Sequence, residues 1–125
     1  MNYFCFTNNI LKAKALDFHK TVDTIFIDLE ILGKEIRQAN TNSLISKHEF
    51  QDITKLRNVI FNSKLGVRVN PLNKNTKYEI ENCLERGADV IMLPMFESES
   101  EVNKFLNIIN GRCKVDLLIE TPKAL

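Results

Sequence analysis

The sequence lacks the features that mark membrane proteins, nucleic-acid-binding proteins and cysteine-based metal proteins. No apolar run reaches the roughly 18–20 residues that a membrane-spanning helix needs. The 17 basic and 16 acidic residues nearly cancel, which argues against binding to nucleic acid or to an anionic membrane. The three cysteines are widely spaced, without a Cys-x-x-Cys motif. This spacing disfavours a thiolate metal site and indicates free thiols in a reducing compartment, so we expect a cytoplasmic protein.

The chain does contain enough apolar side chains for a packed core. Its 125 residues are 44% hydrophobic, which suits one domain or part of a larger one. The apolar start, Met1–Thr7, is short and has no basic leader, so it is interpreted as a strand and not as a signal peptide.

Short apolar runs alternate with segments of helical period. The run at Thr24–Asp28 is apolar on both faces, as is typical of a parallel strand covered on both sides. The five predicted strands are Tyr3–Thr7, Thr24–Asp28, Leu65–Val69, Asp89–Pro94 and Val115–Glu120.

Four helices are predicted between these strands, and their apolar spacing identifies the face that packs on the sheet. In the first, Leu11, Ala15 and Phe18 fall near one face, after an N-cap at Asn8 or Asn9. The second follows a long polar segment, 29–48, which shows no clean period and is predicted to be a loop. The apolar residues that define the later helices are Ile53, Leu56 and Ile60, then Ile80, Cys83 and Leu84, then Val102, Phe105, Leu106 and Ile109.

Two architectures use the order βαβαβαβαβ with right-handed crossovers. A flavodoxin-like sheet fits the length but normally needs a fifth helix, and only five residues follow the last strand. A (β/α)₈ barrel needs about 200–250 residues, so this chain would supply a little over half of one. The pattern leaves the two close, and the polar residues at the strand ends favour the barrel. We therefore predict an α/β fold, a partial TIM barrel of about five parallel strands and four intervening helices. Residues 1–125 would form a single incomplete domain, and the barrel would not be closed by this chain.

Polar side chains gather at the predicted carboxyl ends of the strands, where a barrel keeps its chemistry. They are Thr7, Asn8, Asp28, Glu30, Arg68, Asn70 and Glu120. Two or three carboxylates opposite one guanidinium suit a divalent cation and a carboxylate-bearing substrate. Arginine binds carboxylate or enolate oxygens through two parallel hydrogen bonds, a geometry that lysine cannot match.

Structural roles compete with these functional ones. Arg68 lies in an apolar strand and could form a purely structural ion pair with Asp28 or Glu120. Asp28 could serve only to hold loop backbone, and Glu30 could be a loop residue. A response-regulator-like receiver domain is disfavoured, because Thr7 and Arg68 stand where its acidic residues are required.

Four segments, in order and at suitable spacing, resemble the HpcH/HpaI aldolase and citrate lyase β-subunit family. They are Ile27-Asp28-Leu29-Glu30, Val67-Arg68-Val69-Asn70-Pro71, the stretch 87–98 that begins Gly-Ala-Asp and contains Leu-Pro, and 118–125 with Glu120-Thr121-Pro122. The resemblance covers almost the whole chain.

This resemblance implies a barrel enzyme that uses Mg²⁺, or another divalent cation such as Mn²⁺. Such an enzyme makes or breaks a carbon–carbon bond next to a 2-oxo acid or an acyl-CoA thioester. Carried over by position, Glu120 matches a metal carboxylate and Arg68 matches the arginine that holds the substrate oxyanion. Asp28 is the second candidate catalytic residue, and Asn70 and Glu30 are candidate substrate-binding residues beside Arg68.

The family's second metal carboxylate follows a sixth strand, which this chain does not contain. We therefore expect an N-terminal fragment that is inactive alone, and that forms a homo-oligomer or is completed by a missing C-terminal half. The alternative is a non-catalytic half-barrel that dimerises or docks on a partner chain. Neither hypothesis involves nucleic acid or a membrane.

Overall fold

A computed structural model describes residues 3–30, 42–119 and 122–124. The strands are β1 (Phe4–Phe6), β2 (Thr24–Asp28), β3 (Lys64–Arg68), β4 (Val90–Leu93) and β5 (Lys114–Leu117). The helices are α1 (Ile10–Phe18), α2 (Asn42–Arg57), α3 (Thr76–Glu85) and α4 (Glu99–Ile109), followed by a short 3₁₀ helix (Pro122–Ala124). Within these ranges no helix combines the length and apolar character needed to cross a bilayer.

The five strands form one parallel sheet in the order β1-β2-β3-β4-β5. Each crossover therefore moves in the same direction along the sheet, and right-handed crossovers place every helix on the same face. A doubly wound sheet would instead reverse its strand order near the middle. The predicted α/β fold of five parallel strands and four helices is confirmed, and this order is that of a barrel segment. In the described part of the chain the sheet is open, with β1 and β5 at its edges.

The two faces of the sheet have different partners because successive side chains alternate between them. The outer face packs against the helices and forms the main core. Its largest fully buried members are Ile25, Ile27, Leu65, Ile91 and Leu93 from the strands and Ile53, Leu56, Ile80, Phe105 and Ile109 from the helices. The inner face carries a smaller cluster of Phe26, Val90 and Met92, with Phe6 and Leu118 packed beside it.

The inner-face cluster depends on a glycine in β3. A Cβ atom at Gly66 would lie 2.4 Å from Cε1 of Phe26, well inside van der Waals contact. The missing side chain lets the Phe26 ring lie across β3. The ring then stacks on Phe6, with ring centroids 5.3 Å apart.

Helix α1 packs through a different face from the one predicted. Asn9 is its N-cap and accepts a hydrogen bond from the Lys12 N–H at 3.0 Å, as expected. However, Leu11 and Phe18 are each 77% exposed, and the buried residues are Ala13 and Asp17. The prediction for this face was wrong because a polar anchor, Asp17, fixes the rotation of the helix.

Helix α2 begins earlier than predicted, at Asn42, inside the segment interpreted as a loop. Because its first two turns are mostly polar, the sequence shows no helical repeat of apolar residues there. The predicted apolar residues Ile53, Leu56 and Ile60 are all buried, although Ile60 lies beyond the helix end at Arg57. The remainder of the predicted loop, residues 31–41, lies outside the described residues.

Asp17 ties the end of α1 to the turn before β3. Its carboxylate accepts three backbone hydrogen bonds, from the N–H groups of Phe61 (2.9 Å), Asn62 (2.7 Å) and Ser63 (2.7 Å). Burial raises the pKa of the carboxyl group, but the three N–H donors and nearby Arg57 lower it, and the net shift is downward from 3.8. The charged form of Asp17 is therefore part of the folded state.

Replacing Asp17 with Asn should destabilise the fold by about 1–3 kcal/mol, because the amide keeps only one acceptor oxygen and turns its NH₂ group toward a backbone N–H donor. Urea unfolding measures this change. Glu85→Gln is the matched control, since Glu85 is exposed and also changes from carboxylate to amide. That control should stay within about 0.5 kcal/mol of the wild type. An equal loss in both variants would contradict the anchoring role of Asp17.

The same variant should change the pH dependence of stability. Since the pKa of Asp17 is depressed on folding, its contribution is complete above its ordinary value of 3.8 and is lost as the pH falls through the folded-state value. Between about pH 5 and pH 3 the wild type should lose more stability than Asp17→Asn. Parallel curves for the two proteins would contradict this assignment.

Candidate functional site

The carboxyl ends of β2 and β3 bring Asp28 and Arg68 together. The two residues are register partners in the parallel pair, so their side chains leave the same face of the sheet at the same level. Arg68 Nε donates to Asp28 Oδ1 at 3.1 Å, and Arg68 Nη2 donates to Asp28 Oδ2 at 2.5 Å. The guanidinium therefore holds the carboxylate through two parallel hydrogen bonds.

Glu30 completes a triad of charged groups at this edge. Its Oε2 lies 3.4 Å from Arg68 Nε, and its backbone N–H donates to Asp28 Oδ1 at 3.0 Å. The predicted site residues Asp28, Glu30 and Arg68 are thus in contact. All three are partly buried, with 37%, 25% and 22% of their side chains exposed. Two carboxylates against one guanidinium leave one net negative charge.

An aromatic ring lies beneath the guanidinium. The Arg68 Cζ atom lies 4.6 Å from the centre of the Phe6 ring, a cation–π geometry that restrains the side chain further. Phe6 itself stacks on Phe26. Sequence reasoning missed Phe6, although its place on the inner face follows from its register pairing with Phe26.

Asn70 is held by a different partner. Its backbone N–H and its Nδ2 donate to Glu79 Oε1, at 3.2 and 2.9 Å. Asn73 Nδ2 donates to the second oxygen of Glu79 at 3.2 Å. Glu79 is 7% exposed and so fastens the turn between β3 and α3. The sequence analysis missed Glu79, because a carboxylate in the first turn of a helix carries no signal of which loop it binds.

Two other polar residues at the strand ends contact neighbours away from Arg68. Thr7 Oγ1 accepts from the Asn9 N–H at 3.1 Å, next to the start of α1. Asn8 Nδ2 donates to Asp52 Oδ2 of α2 at 3.3 Å. These residues fasten the β1–α1 connection.

The three cysteines are free, as predicted. Only Cys83 is buried, and burial raises the pKa of its thiol far above the ordinary value. Cys113 is half-buried, and its pKa is also raised by burial. Neither thiol is a thiolate at neutral pH, so neither is a candidate nucleophile.

The predicted metal ligand, Glu120, lies outside the described residues. In the ranges that the structure does describe, no group of three or more His, Cys, Asp or Glu side chains is placed to hold a metal ion. The donor chemistry nevertheless suits a hard divalent cation, which commonly takes only one or two protein carboxylates.

The contacts of Arg68 and Asp28 agree with both the structural role and the functional role that the sequence allows for them. Arg68 is paired with Asp28, and Asp28 also accepts a hydrogen bond from loop backbone. The same pairing keeps a fixed positive charge at the carboxyl end of a parallel strand, which is where α/β proteins bind ligands. An anionic substrate would have to displace Asp28 from the guanidinium in order to bind there.

The sequence was also compared with known proteins. The sequence model of the HpcH/HpaI aldolase/citrate lyase family matches residues 7–114, which run from the end of β1 to the start of β5 and include Asp28, Arg68 and Asn70. No curated protein matches significantly. The match covers well over half of the chain and agrees with the order of strands and helices. The chain belongs to the HpcH/HpaI aldolase/citrate lyase family.

Proposed function

We propose that this chain contributes Arg68, Asp28 and Glu30 to the active site of a carbon–carbon lyase. The enzyme would act on a 2-oxo acid or an acyl-CoA-type substrate. The family consists of aldolases and lyases. The observation that carries the proposal is the two-pronged contact of Arg68 with Asp28 at the carboxyl ends of neighbouring parallel strands. A cytoplasmic location fits the three free cysteines.

The role of Arg68 follows from where charge develops in the reaction. Cleaving a carbon–carbon bond next to a carbonyl group leaves the bonding electrons on an enolate oxygen. A guanidinium already in place stabilises that negative charge without further reorganisation. The substrate carboxylate or enolate takes over the hydrogen bonds that Asp28 accepts from Arg68.

Asp28 then becomes available as a general base. Once displaced from Arg68, its carboxylate stands beside the bound substrate and can accept the hydroxyl proton of a 2-oxo-4-hydroxy acid. The alcohol carbon becomes a carbonyl, and the released electron pair becomes the enolate at Arg68. Glu30, which contacts Arg68, and Asn70, which follows Arg68 by two residues, are proposed to orient the substrate.

A divalent cation, Mg²⁺ or Mn²⁺, is the proposed cofactor, since enzymes of this family commonly depend on one. Asp28 and Glu30 place two carboxylates at the carboxyl ends of the strands, which supports a cation there, and Glu120 is the proposed ligand by position. When bound, such an ion supplies Lewis acidity toward substrate oxygens.

Oxalate, a planar mimic of the pyruvate enolate, should bind at Arg68. Arg68→Lys should weaken that binding about tenfold, because lysine keeps the charge but loses the two-pronged geometry. Titration of the ¹⁵N-labelled chain with oxalate and Mg²⁺, followed by NMR, measures the affinity and locates the site.

Arg112→Lys is the matched control for this experiment. Arg112 makes an equivalent two-pronged contact with Glu81, at 2.7 and 2.9 Å, on the surface formed by the helices. Its replacement should leave oxalate affinity unchanged. Equal losses in the two variants, or shifts that avoid Arg68, would overturn the proposed substrate site.

The isolated 125-residue chain should not turn over 2-oxo-4-hydroxy acids, even with added Mg²⁺ or Mn²⁺. In its described part Asp28 is held by Arg68, and no three metal-ligating side chains come together. A coupled assay for pyruvate release tests this expectation. Pyruvate formation that disappears in Arg68→Lys would contradict the proposed inactivity while supporting the proposed lyase site.

A second candidate function, self-association, is favoured by the exposed face of α1. Leu11 and Phe18 are each 77% exposed, and Phe61, in the turn that Asp17 binds, is 80% exposed. Leu11, Ala15 and Phe18 form an exposed apolar stripe on α1 at the spacing i, i+4, i+7. Such a stripe on a surface helix is typical of a face that docks on another protein surface. We propose that a second copy of this chain covers it.

Size-exclusion chromatography with light scattering should then show a dimer. Replacing both Leu11 and Phe18 with Ser should yield a monomer, because the apolar area that drives association is removed. Tyr78→Ser, at a 57%-exposed aromatic residue on α3, is the control and should remain dimeric. A monomeric wild type would exclude self-association, and a double variant that stays dimeric would exclude this face.

A further inference from the structure

A cavity of about 650 Å³ lies at the amino ends of the strands, on the inner face of the sheet. The side chains that line it come from β1, β2, β3 and β5 and from the connections that lead into β2 and β3. The charged groups among them are Lys20, Lys64, Lys114, Asp23 and Asp116, and the Thr24 hydroxyl also lines the cavity. We propose that this cavity binds a phosphate group.

Three lysines approach the cavity from separate parts of the fold. Lys20 follows α1, Lys64 begins β3 and Lys114 begins β5. None of the three forms an ion pair with a carboxylate in the described part of the chain. Their positive charges therefore remain available to a ligand.

The acidic lining residues only partly offset this charge. Asp23 is already engaged, because its Oδ2 accepts the Tyr3 N–H at 2.8 Å. Asp116 lies on the inner face two residues after Lys114 and opposes an anion placed next to it. Counting three lysines against two aspartates, the charge of the lining is +1, and a recessed surface focuses such a field.

The strand geometry sets the size of the ligand that two of the lysines can share. Lys64 and Lys114 both point to the inner face, on strands separated only by β4. Lys114 is level with Gly66, two residues beyond Lys64, so two strand spacings and this offset place their backbones roughly 12 Å apart. Two extended lysine side chains can close that gap around one compact anion. The Thr24 hydroxyl, on the register partner of Lys64, adds a neutral donor.

A phosphate group fits this set better than a planar carboxylate. A lysine ammonium group is a compact charge with no fixed planar arrangement of donors, so several lysines can surround a tetrahedral dianion. The paired planar donors that match a carboxylate are those of Arg68. The cavity is also separate from that site. Lys64 and Arg68 are the first and last residues of β3, roughly 13 Å apart along the strand.

The proposal is tested by NMR titration of the ¹⁵N-labelled 125-residue chain at constant ionic strength. Inorganic phosphate and glycerol 3-phosphate are the two probes, and they distinguish a free phosphate ion from a phosphate monoester as the ligand. Saturable shifts should map to Thr24, Lys64 and Lys114. The double variant Lys64→Gln/Lys114→Gln should bind the preferred probe at least about tenfold more weakly.

Lys77→Gln/Lys104→Gln is the matched control, because it removes the same charge from the exposed surfaces of α3 and α4. Its affinity should equal that of the wild type. Equal weakening in both double variants would show general charge attraction and overturn the proposal, as would the absence of saturable binding to either probe. Neither outcome depends on lyase activity.

Discussion

The parallel register between β2 and β3 is the constraint on which the candidate site depends. It makes Asp28 and Arg68 register partners, so a two-pronged ion pair forms where both strands end. Ion pairs that keep contact with solvent stabilise proteins by only about 0–1 kcal/mol, so this partly buried pair contributes mainly by fixing the position of the guanidinium. The Phe6 ring beneath the guanidinium and Glu30 beside it restrict Arg68 further.

The sequential strand order determines which face of the sheet the helices cover. Because the four described α-helices pack on the outer face, the inner face is left to side chains with other roles. At the carboxyl ends it carries carboxylates around one arginine, in the middle an aromatic and aliphatic cluster, and at the amino ends lysines. The sheet thus offers two chemically distinct polar regions separated by an apolar one.

The sequence predicted those features that depend on local pattern. The apolar runs located the five described strands, and the polar residues near their carboxyl ends included Asp28, Glu30 and Arg68. The pattern of elements alone left the strand order open between a barrel and a doubly wound sheet, and the polar residues at the strand ends favoured the barrel order that the structure has. The buried face of α1 was wrong because a charged residue, Asp17, is its anchor. Glu79 was missed for a similar reason, since long-range hydrogen bonds decide where a carboxylate is buried.

A double-mutant cycle on Asp28→Ala and Arg68→Ala tests the central claim most directly. Urea unfolding of the wild type, both single variants and the double variant gives the coupling free energy between the two side chains. A two-pronged, partly buried pair predicts a favourable coupling of about 0.5–1.5 kcal/mol. A coupling of zero within error would contradict a favourable two-pronged interaction between Asp28 and Arg68, and the proposed lyase site would lose its main support.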